Sequence, residues 1–245
     1  NRSTTPGEID PAKISISGGL HYQNLFTLDG VGMNNTLNPA ATANDNSWLG
    51  MGKGQSQGLA VDTSLLESIT VLDSNIGASY GGFMGGVVEA NTRRPTKKYG
   101  ANISYQFTQG NADPKAFSLT NYHLYEGTDI TSFLGSADAN NQPNFHKHII
   151  RASVESKVSD KFGLIASFSS TLSFIPLLPN AKSNYTGNYA TPITRPDIES
   201  FKQTQKRQIY NYFIKGYYDV NEATRLELSY TYAPQYDYRF MYGTQ

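Results

Sequence analysis

A single tryptophan, Trp48, stands in a stretch that also holds Met33, Asn34, Asn35, Asn44, Asn46 and Met51. An indole ring among carboxamides suits a sugar or other organic ligand, because the ring stacks while the amides donate and accept hydrogen bonds. Packing that pins the loop is the competing use of the ring. Tyr80, next to Gly81 and Gly82, is a second candidate, with a structural role as its competing use. His146 and His148 share one face of an extended segment and could approach one metal ion, yet no third ligand accompanies them. Positions in a wall or at a rim explain the pair more simply. Gly50-Met51-Gly52-Lys53-Gly54 resembles a phosphate loop, but no Ser or Thr follows the Lys and no Gly stands at the required upstream position. No Ser-His-Asp order or paired-carboxylate spacing is discernible, and Asp197 and Glu199 read as solvated loop residues. The chain therefore reads as a binding protein, not an enzyme, and calls for no cofactor and no metal.

The elements that must carry these residues are constrained by composition. The 245 residues hold 20 acidic and 20 basic side chains and no cysteine, and only 16% are charged, against roughly 25% in a soluble domain. Hydrophobic residues make up 38%, with 17 Tyr and 12 Phe, and Gly and Asn fill much of the remainder. With zero net charge and no basic block, nothing is available to neutralise phosphates, so a nucleic-acid partner is excluded. No run approaches the ~18 apolar residues of a transmembrane helix, so a chain of this kind crosses a bilayer only as a barrel. The start at Asn1, without an initiator Met or signal peptide, reads as a mature or proteolysed protein.

Patterning divides the chain near Arg93-Arg94-Pro95. Beyond it, apolar and polar residues alternate in segments at about 98–109, 145–158, 162–175, 207–220 and 225–240. Tyr99, Ala101, Ile103, Tyr105 and Phe107 share one face of the first. Ile150, Ala152, Val154 and Val158 do so in the second, opposite Arg151, Ser153, Glu155 and Lys157. Phe162, Leu164, Ala166, Phe168, Leu172 and Phe174 follow, then Tyr210, Tyr212, Ile214, Tyr218 and Val220 opposite Asn211, Lys215 and Asp219. Leu226, Leu228, Tyr230 and Tyr232 complete the set. Tight turns at 159–161 and 221–224 alternate with long links at 109–144 and 175–206. Short turns at one rim, long loops at the other and aromatic residues near strand ends predict a transmembrane barrel wall. A soluble β-sandwich alternates too, but its strands are usually shorter and its polar faces richer in Lys and Glu.

Before the boundary the signals are local. Asp29-Gly30 predicts a turn. Leu66, Ile69 and Val71 predict a helical turn passing into a buried strand, and Gly81-Gly82 and Gly85-Gly86 predict sharp bends and close backbone approach. Ile14-Ser15-Ile16-Ser17-Gly18-Gly19, Leu25-Phe26-Thr27-Leu28-Asp29-Gly30-Val31, Leu65-Leu66-Glu67-Ser68-Ile69-Thr70-Val71-Leu72, Ala78-Ser79-Tyr80-Gly81 and Met84-Gly85-Gly86-Val87-Val88-Glu89-Ala90-Asn91-Thr92-Arg93-Arg94-Pro95 follow in order. Together these five elements, across roughly residues 12–97, resemble the plug of TonB-dependent outer-membrane receptors. The family's Arg-Gly-Pro after the Val-Leu strand is replaced by Asp73-Ser74-Asn75, so the ion pairs from plug to barrel are not identifiable in the sequence.

The resemblance implies a mainly β fold: residues 1–97 as the C-terminal part of a mixed α+β plug domain, and residues 98–245 as about five antiparallel strands beginning a large β-barrel. Such a barrel has about 22 strands, so a TonB box, further plug strands and many more barrel strands are expected in the parent protein. It further implies an outer-membrane location among lipid, with TonB as energy-coupling partner. The implied activity is import of a scarce ferric siderophore, other metal chelate, cobalamin or oligosaccharide, held between the plug apex and extracellular loops. Carried onto this chain, the apical loop spans about Gly32 to Ala60 and offers Asn34, Asn35, Trp48 and Met51, with Tyr80 at the next turn. Two other classes compete: an outer-membrane receptor or adhesion protein that binds a macromolecule without transport, and a soluble carbohydrate-binding β-domain.

Overall fold

The computed structural model describes residues 4–37, 39–40, 54–113, 115–120, 122, 127, 130–135, 141–177 and 203–238. Among these, no helix is long and apolar enough to cross a membrane. Two sheets form. The smaller contains β1 (Leu25–Leu28), β2 (Val31–Gly32), β3 (Leu66–Leu72) and β4 (Val87–Thr92), in the order β2-β1-β4-β3. β1 and β4 run parallel, and the other neighbours are antiparallel. The β1–β2 hairpin turns on Asp29-Gly30, where φ is 50° and 80°. Two successive left-handed residues match the twist of the flanking strands, and Asp-Gly tolerates them at little cost.

Upstream of β3, a 3-10 turn at Thr63–Leu65 is capped by Asp62, whose carboxylate accepts from the Ser64 amide at 2.9 Å. The turn passes directly into β3, but this strand is not buried: Ile69 and Val71 are more than half exposed. β3 is an outer strand of the sheet and has a strand neighbour on one side only. The close approach expected at Gly85-Gly86 is present. A Cβ on Gly86 would lie 2.7 Å from the Leu72 carbonyl oxygen, and one on Gly85 would collide with the Asn24 side chain.

The larger sheet contains β5 (Gly100–Gly110), β6 (Phe145–Lys157), β7 (Phe162–Leu177), β8 (Gln203–Asn221), β9 (Thr224–Tyr232) and β10 (Gln235–Tyr238), all neighbours antiparallel. Tight turns join β6 to β7 and β8 to β9 at one end, while the long connections 111–144 and 178–202 leave from the other. The sequence places the fourth segment at 207–220, and β8 starts four residues earlier, at Gln203. The fifth segment is broken at Ala233-Pro234 into β9 and β10, both on β8, because a proline cannot donate to the ladder. Within 111–144 a short helix, α1 (Ile130–Gly135), buries Phe133 against Tyr122, with ring centroids 5.1 Å apart.

The distribution of polarity in this sheet is inverted relative to a soluble protein. Its apolar face is bare: Ile103 is 82% exposed and Leu228 80%, and Val154, Tyr218, Leu226 and Tyr230 are also exposed. The polar face is covered, with Ser169, Ser173, Arg207, Asn211 and Lys215 all buried. A soluble sandwich puts its apolar face inside, and a contiguous bare apolar surface of this extent belongs in lipid. From Phe162 to Phe174 the strand runs ~40 Å, which a tilt of about 45° reduces to ~28 Å, close to the ~25 Å apolar band of a barrel.

Candidate functional site

The covered polar face is a ladder of contacts between the two sheets. On β8 every second residue points toward the small sheet, and Lys215, Phe213, Asn211 and Arg207 mark successive levels from the tight-turn end upward. At the lowest, Lys215 Nζ donates to Thr92 Oγ1 at 3.0 Å and lies 3.5 Å from both Asp29 Oδ2 and Glu227. The turn that forms the β1–β2 hairpin thus also aims Asp29 at the wall, and the same carboxylate accepts from the Thr92 amide at 2.8 Å. Leu65, delivered by the 3-10 turn, packs between Ile165 and Phe213. Burying this side chain stabilises the contact by about 2 kcal/mol.

One level up, Arg151 Nε reaches both Asp62 carboxylate oxygens, at 2.9 and 3.0 Å, and Asn211 Oδ1 accepts from the Asp62 amide at 3.2 Å. Highest, Arg207 is fully buried and binds Glu8 through two nitrogens, at 3.1 and 3.2 Å. Gln142 also donates to Glu8, Lys147 Nζ to the Glu8 carbonyl, and Ser173 to the Gly7 carbonyl. In these three pairs Asp29, Asp62 and Glu8 come from the N-terminal segment and Lys215, Arg151 and Arg207 from the strands, whereas Arg94, 2.8 Å from Glu227, runs the other way. The sequence displays Arg151 and Lys215 as cations on the polar faces of their strands, but not their partners. Glu8 and Arg207 carry no sequence signal.

Burial by itself raises the Asp62 pKa, and the hydrogen bonds from Arg151 and Ser64 together with the Arg151 charge outweigh it, holding the carboxyl below 3.8. A depressed carboxyl contributes docking stability above its free pKa and loses it as pH falls through the lower docked value. Docking is therefore expected to be flat near neutrality and to weaken below about pH 3.8. Asp62→Asn should remove that acid-dependent part, as read by limited proteolysis of residues 54–97 along a descending pH series. Equal acid sensitivity in both proteins would contradict the assignment.

The residues picked from sequence for ligand contact are distributed as follows. Asn34 bridges to Gln57, and its amide is spent on the backbone: Oδ1 accepts from the Phe26 amide at 2.8 Å and Nδ2 donates to the Asn24 carbonyl at 2.6 Å. Asn35 Oδ1 accepts from the Leu37 amide, and its own amide donates to the Ser56 carbonyl. Asn34 and Asn35 thus build the stem from which segment 38–53 departs and to which it returns. Above this stem, Gln55 shares Asp10 with Gln235, on the side of the long connections. Trp48 and Met51, like Asn44, Asn46, Asp197 and Glu199, lie outside the described residues. Tyr80 donates to Glu89 Oε1 at 2.7 Å, which raises its phenol pKa, and it touches neither asparagine. His146 and His148 face outward on β6, with rings 5.5 Å apart. Among the described residues no group of three His, Cys, Asp or Glu is placed to hold a metal ion.

Comparison with solved structures decides the identity of this arrangement. The crystal structure of the outer membrane transporter YddB from Escherichia coli superposes with a TM-score of 0.68 at 25% identity, covering 96% of this chain and 28% of YddB. The curated sequence of Escherichia coli (strain K12) YddB, itself named an uncharacterized protein, is 33% identical over 168 residues, 68% of this chain. The chain has the fold of the TonB-dependent outer-membrane receptors. It lies in the outer membrane and combines a partial plug with barrel strands. The siderophore receptor PirA from Acinetobacter baumannii is more distant, at 18% identity and a TM-score of 0.48 over 96% of this chain and 35% of PirA. No protein-family model matches. This chain spans 20% of the length of the curated YddB sequence.

Proposed function

We propose that the parent protein actively imports a scarce small nutrient across the outer membrane, with TonB supplying the energy. In this reading residues 1–97 are the C-terminal part of the plug and residues 98–245 begin the barrel. The ligand, a ferric siderophore, other metal chelate, cobalamin or oligosaccharide, is held between the plug apex and the extracellular loops. The observation that carries the reading is the ladder of plug carboxylates on wall cations, because a stopper held by discrete polar contacts closes the lumen and can still be displaced.

Within the proposed ligand site, Asn34 and Asn35 set the loop stem, Trp48 and Met51 are the proposed ligand contacts, and Tyr80 is a peripheral one. Loss of accumulation of the inducing nutrient on deleting TonB tests the transport half of the proposal, and TonB-independent uptake would overturn it. For the site, Trp48→Ala is expected to weaken ligand affinity roughly tenfold, as loss of one stacking contact does, without altering barrel assembly. Unchanged affinity removes Trp48 from the site.

A further inference from the structure

The stem of segment 38–53 and the base of connection 111–144 come from different parts of the chain, yet both are bound to one short stretch, residues 4–10. The middle of that stretch is pinned to the wall. Ser173 donates to the Gly7 carbonyl at 2.6 Å, and Arg207 holds the Glu8 carboxylate. Gly7 lies so close to the strands that a Cβ there would stand 2.7 Å from the Ile175 side chain and 2.8 Å from that of Gln142. Ile175 is fully buried, so the close-packed wall has no slack to give.

From this fixed middle the stretch reaches in two directions. On one side it takes the base of the connection: the Gln142 backbone amide donates to the Thr4 carbonyl at 2.8 Å, and the Gln142 side chain donates to Glu8 at 2.9 Å. Asn144 closes that base by accepting from the Ala112 amide at 2.9 Å. On the other side it takes the stem, where Gln55 Nε2 donates to Asp10 Oδ1 at 3.1 Å and Gln235, at the start of β10, donates to the same oxygen at 2.6 Å. Backbone bonds from Asn35 to Ser56 and from Gly58 to Met33 join the two arms of the stem, so a hold on Gln55 is a hold on both. Bonds to a carboxylate are charge-assisted and stronger than neutral ones.

We propose that residues 4–10 are a spacer that sets the distance between the stem and the connection, and with it the width of the ligand space. Asp10 is the positioning residue on the plug side and Glu8 on the side of the connection. What occupies the space rests on the transport reading, whereas the spacer is a statement about distance and is testable without a ligand. A gap held at one width spares the ligand the cost of ordering both of its walls.

This chain has no cysteine, so nitroxide labels can be attached at Leu37→Cys and Lys115→Cys, two exposed positions on the stem and near the base of the connection. Their separation would be read by double electron–electron resonance in the full-length protein in nanodiscs. Wild type should give one narrow distance. Asp10→Ala and Gln55→Ala should each lose it, and combining them should broaden the distribution no further, because the two side chains act as one contact. Arg207→Met leaves Asp10 and Gln55 in place and should lose the narrow distance too, since the spacer has lost its anchor. A narrow distance kept in Asp10→Ala would overturn the positioning role. One lost in Asp10→Ala but kept in Arg207→Met would reduce the contact to a local bond and overturn the spacer. Heat-dependent electrophoretic mobility reports whether each variant forms its barrel, and should Arg207→Met not do so, Gly7→Ala makes the same comparison by lifting the stretch from Ile175. TonB-independent uptake by wild type would sink the transport reading and leave the distances standing, whereas unaltered distances with TonB-dependent uptake would sink only the spacer.

Discussion

Replacing Arg207 by Met is expected to release the segment around Glu8 from the wall, at a cost of about 3–5 kcal/mol. The guanidinium is fully buried and satisfied by Glu8, by Gln205 at 2.6 Å and by Asp237 at 3.7 Å. Methionine fills much of the volume but takes both guanidinium bonds from Glu8, and a carboxylate that loses its buried cation in a poorly solvated site carries most of the penalty. Hydrogen exchange should quicken in residues 4–10 by two orders of magnitude or more, while β1 and β4, held by their own ladder, keep their protection. Glu8→Gln should be milder, because the amide oxygen still accepts one guanidinium bond. Adding Glu8→Gln to Arg207→Met should cost little more, since the two side chains act as one unit. Additive effects of the two changes would show that the pair is an accident of proximity.

The wall was legible in the sequence because a barrel strand obeys one local rule. Alternation gives both faces, and only the occupant of each side is reversed relative to a soluble sheet, so low charge and aromatic strand ends distinguish the two cases. What eluded the reading is long-range. Ile165, Ile175 and Phe213 break the polar face as buried apolar residues, and the N-terminal segment presses against them: Leu65 at Ile165 and Phe213, and Gly7 so close to Ile175 that a Cβ there would lie 2.7 Å from its side chain. No pattern within a strand announces such a partner. Asp29 illustrates the same limit, since the turn it forms with Gly30 is evident from two residues, whereas its role beside Lys215 depends on a strand 186 positions away. The backbone partners of Asn34 were equally out of reach of the sequence: its amide holds the Phe26 amide and the Asn24 carbonyl.

Lys215 is the second point at which a single side chain should have a large effect, and there the expected result depends on what else is changed. Lys215→Met removes the cation between Asp29 and Glu227. Both carboxylates keep other partners, Thr92 for Asp29 and Arg94 at 2.8 Å for Glu227, and both are partly solvated. The expected loss is therefore smaller than at Arg207, about 2–3 kcal/mol, read as faster exchange at the β1–β2 turn and around Thr92. Neutralising the acids as well should reverse most of it. In Lys215→Met with Asp29→Asn and Glu227→Gln the site holds no unpaired charge, and exchange of a whole buried cluster for neutral groups is often close to neutral. In the transporter reading this level lies on the periplasmic side, from which the pull on the plug arrives, so the single variant should also yield its plug at lower force than the triple variant. If the triple variant is as loose as the single one, charge balance is not what seats the plug here, and packing of Leu65 against Ile165 and Phe213 must carry that end of the contact instead.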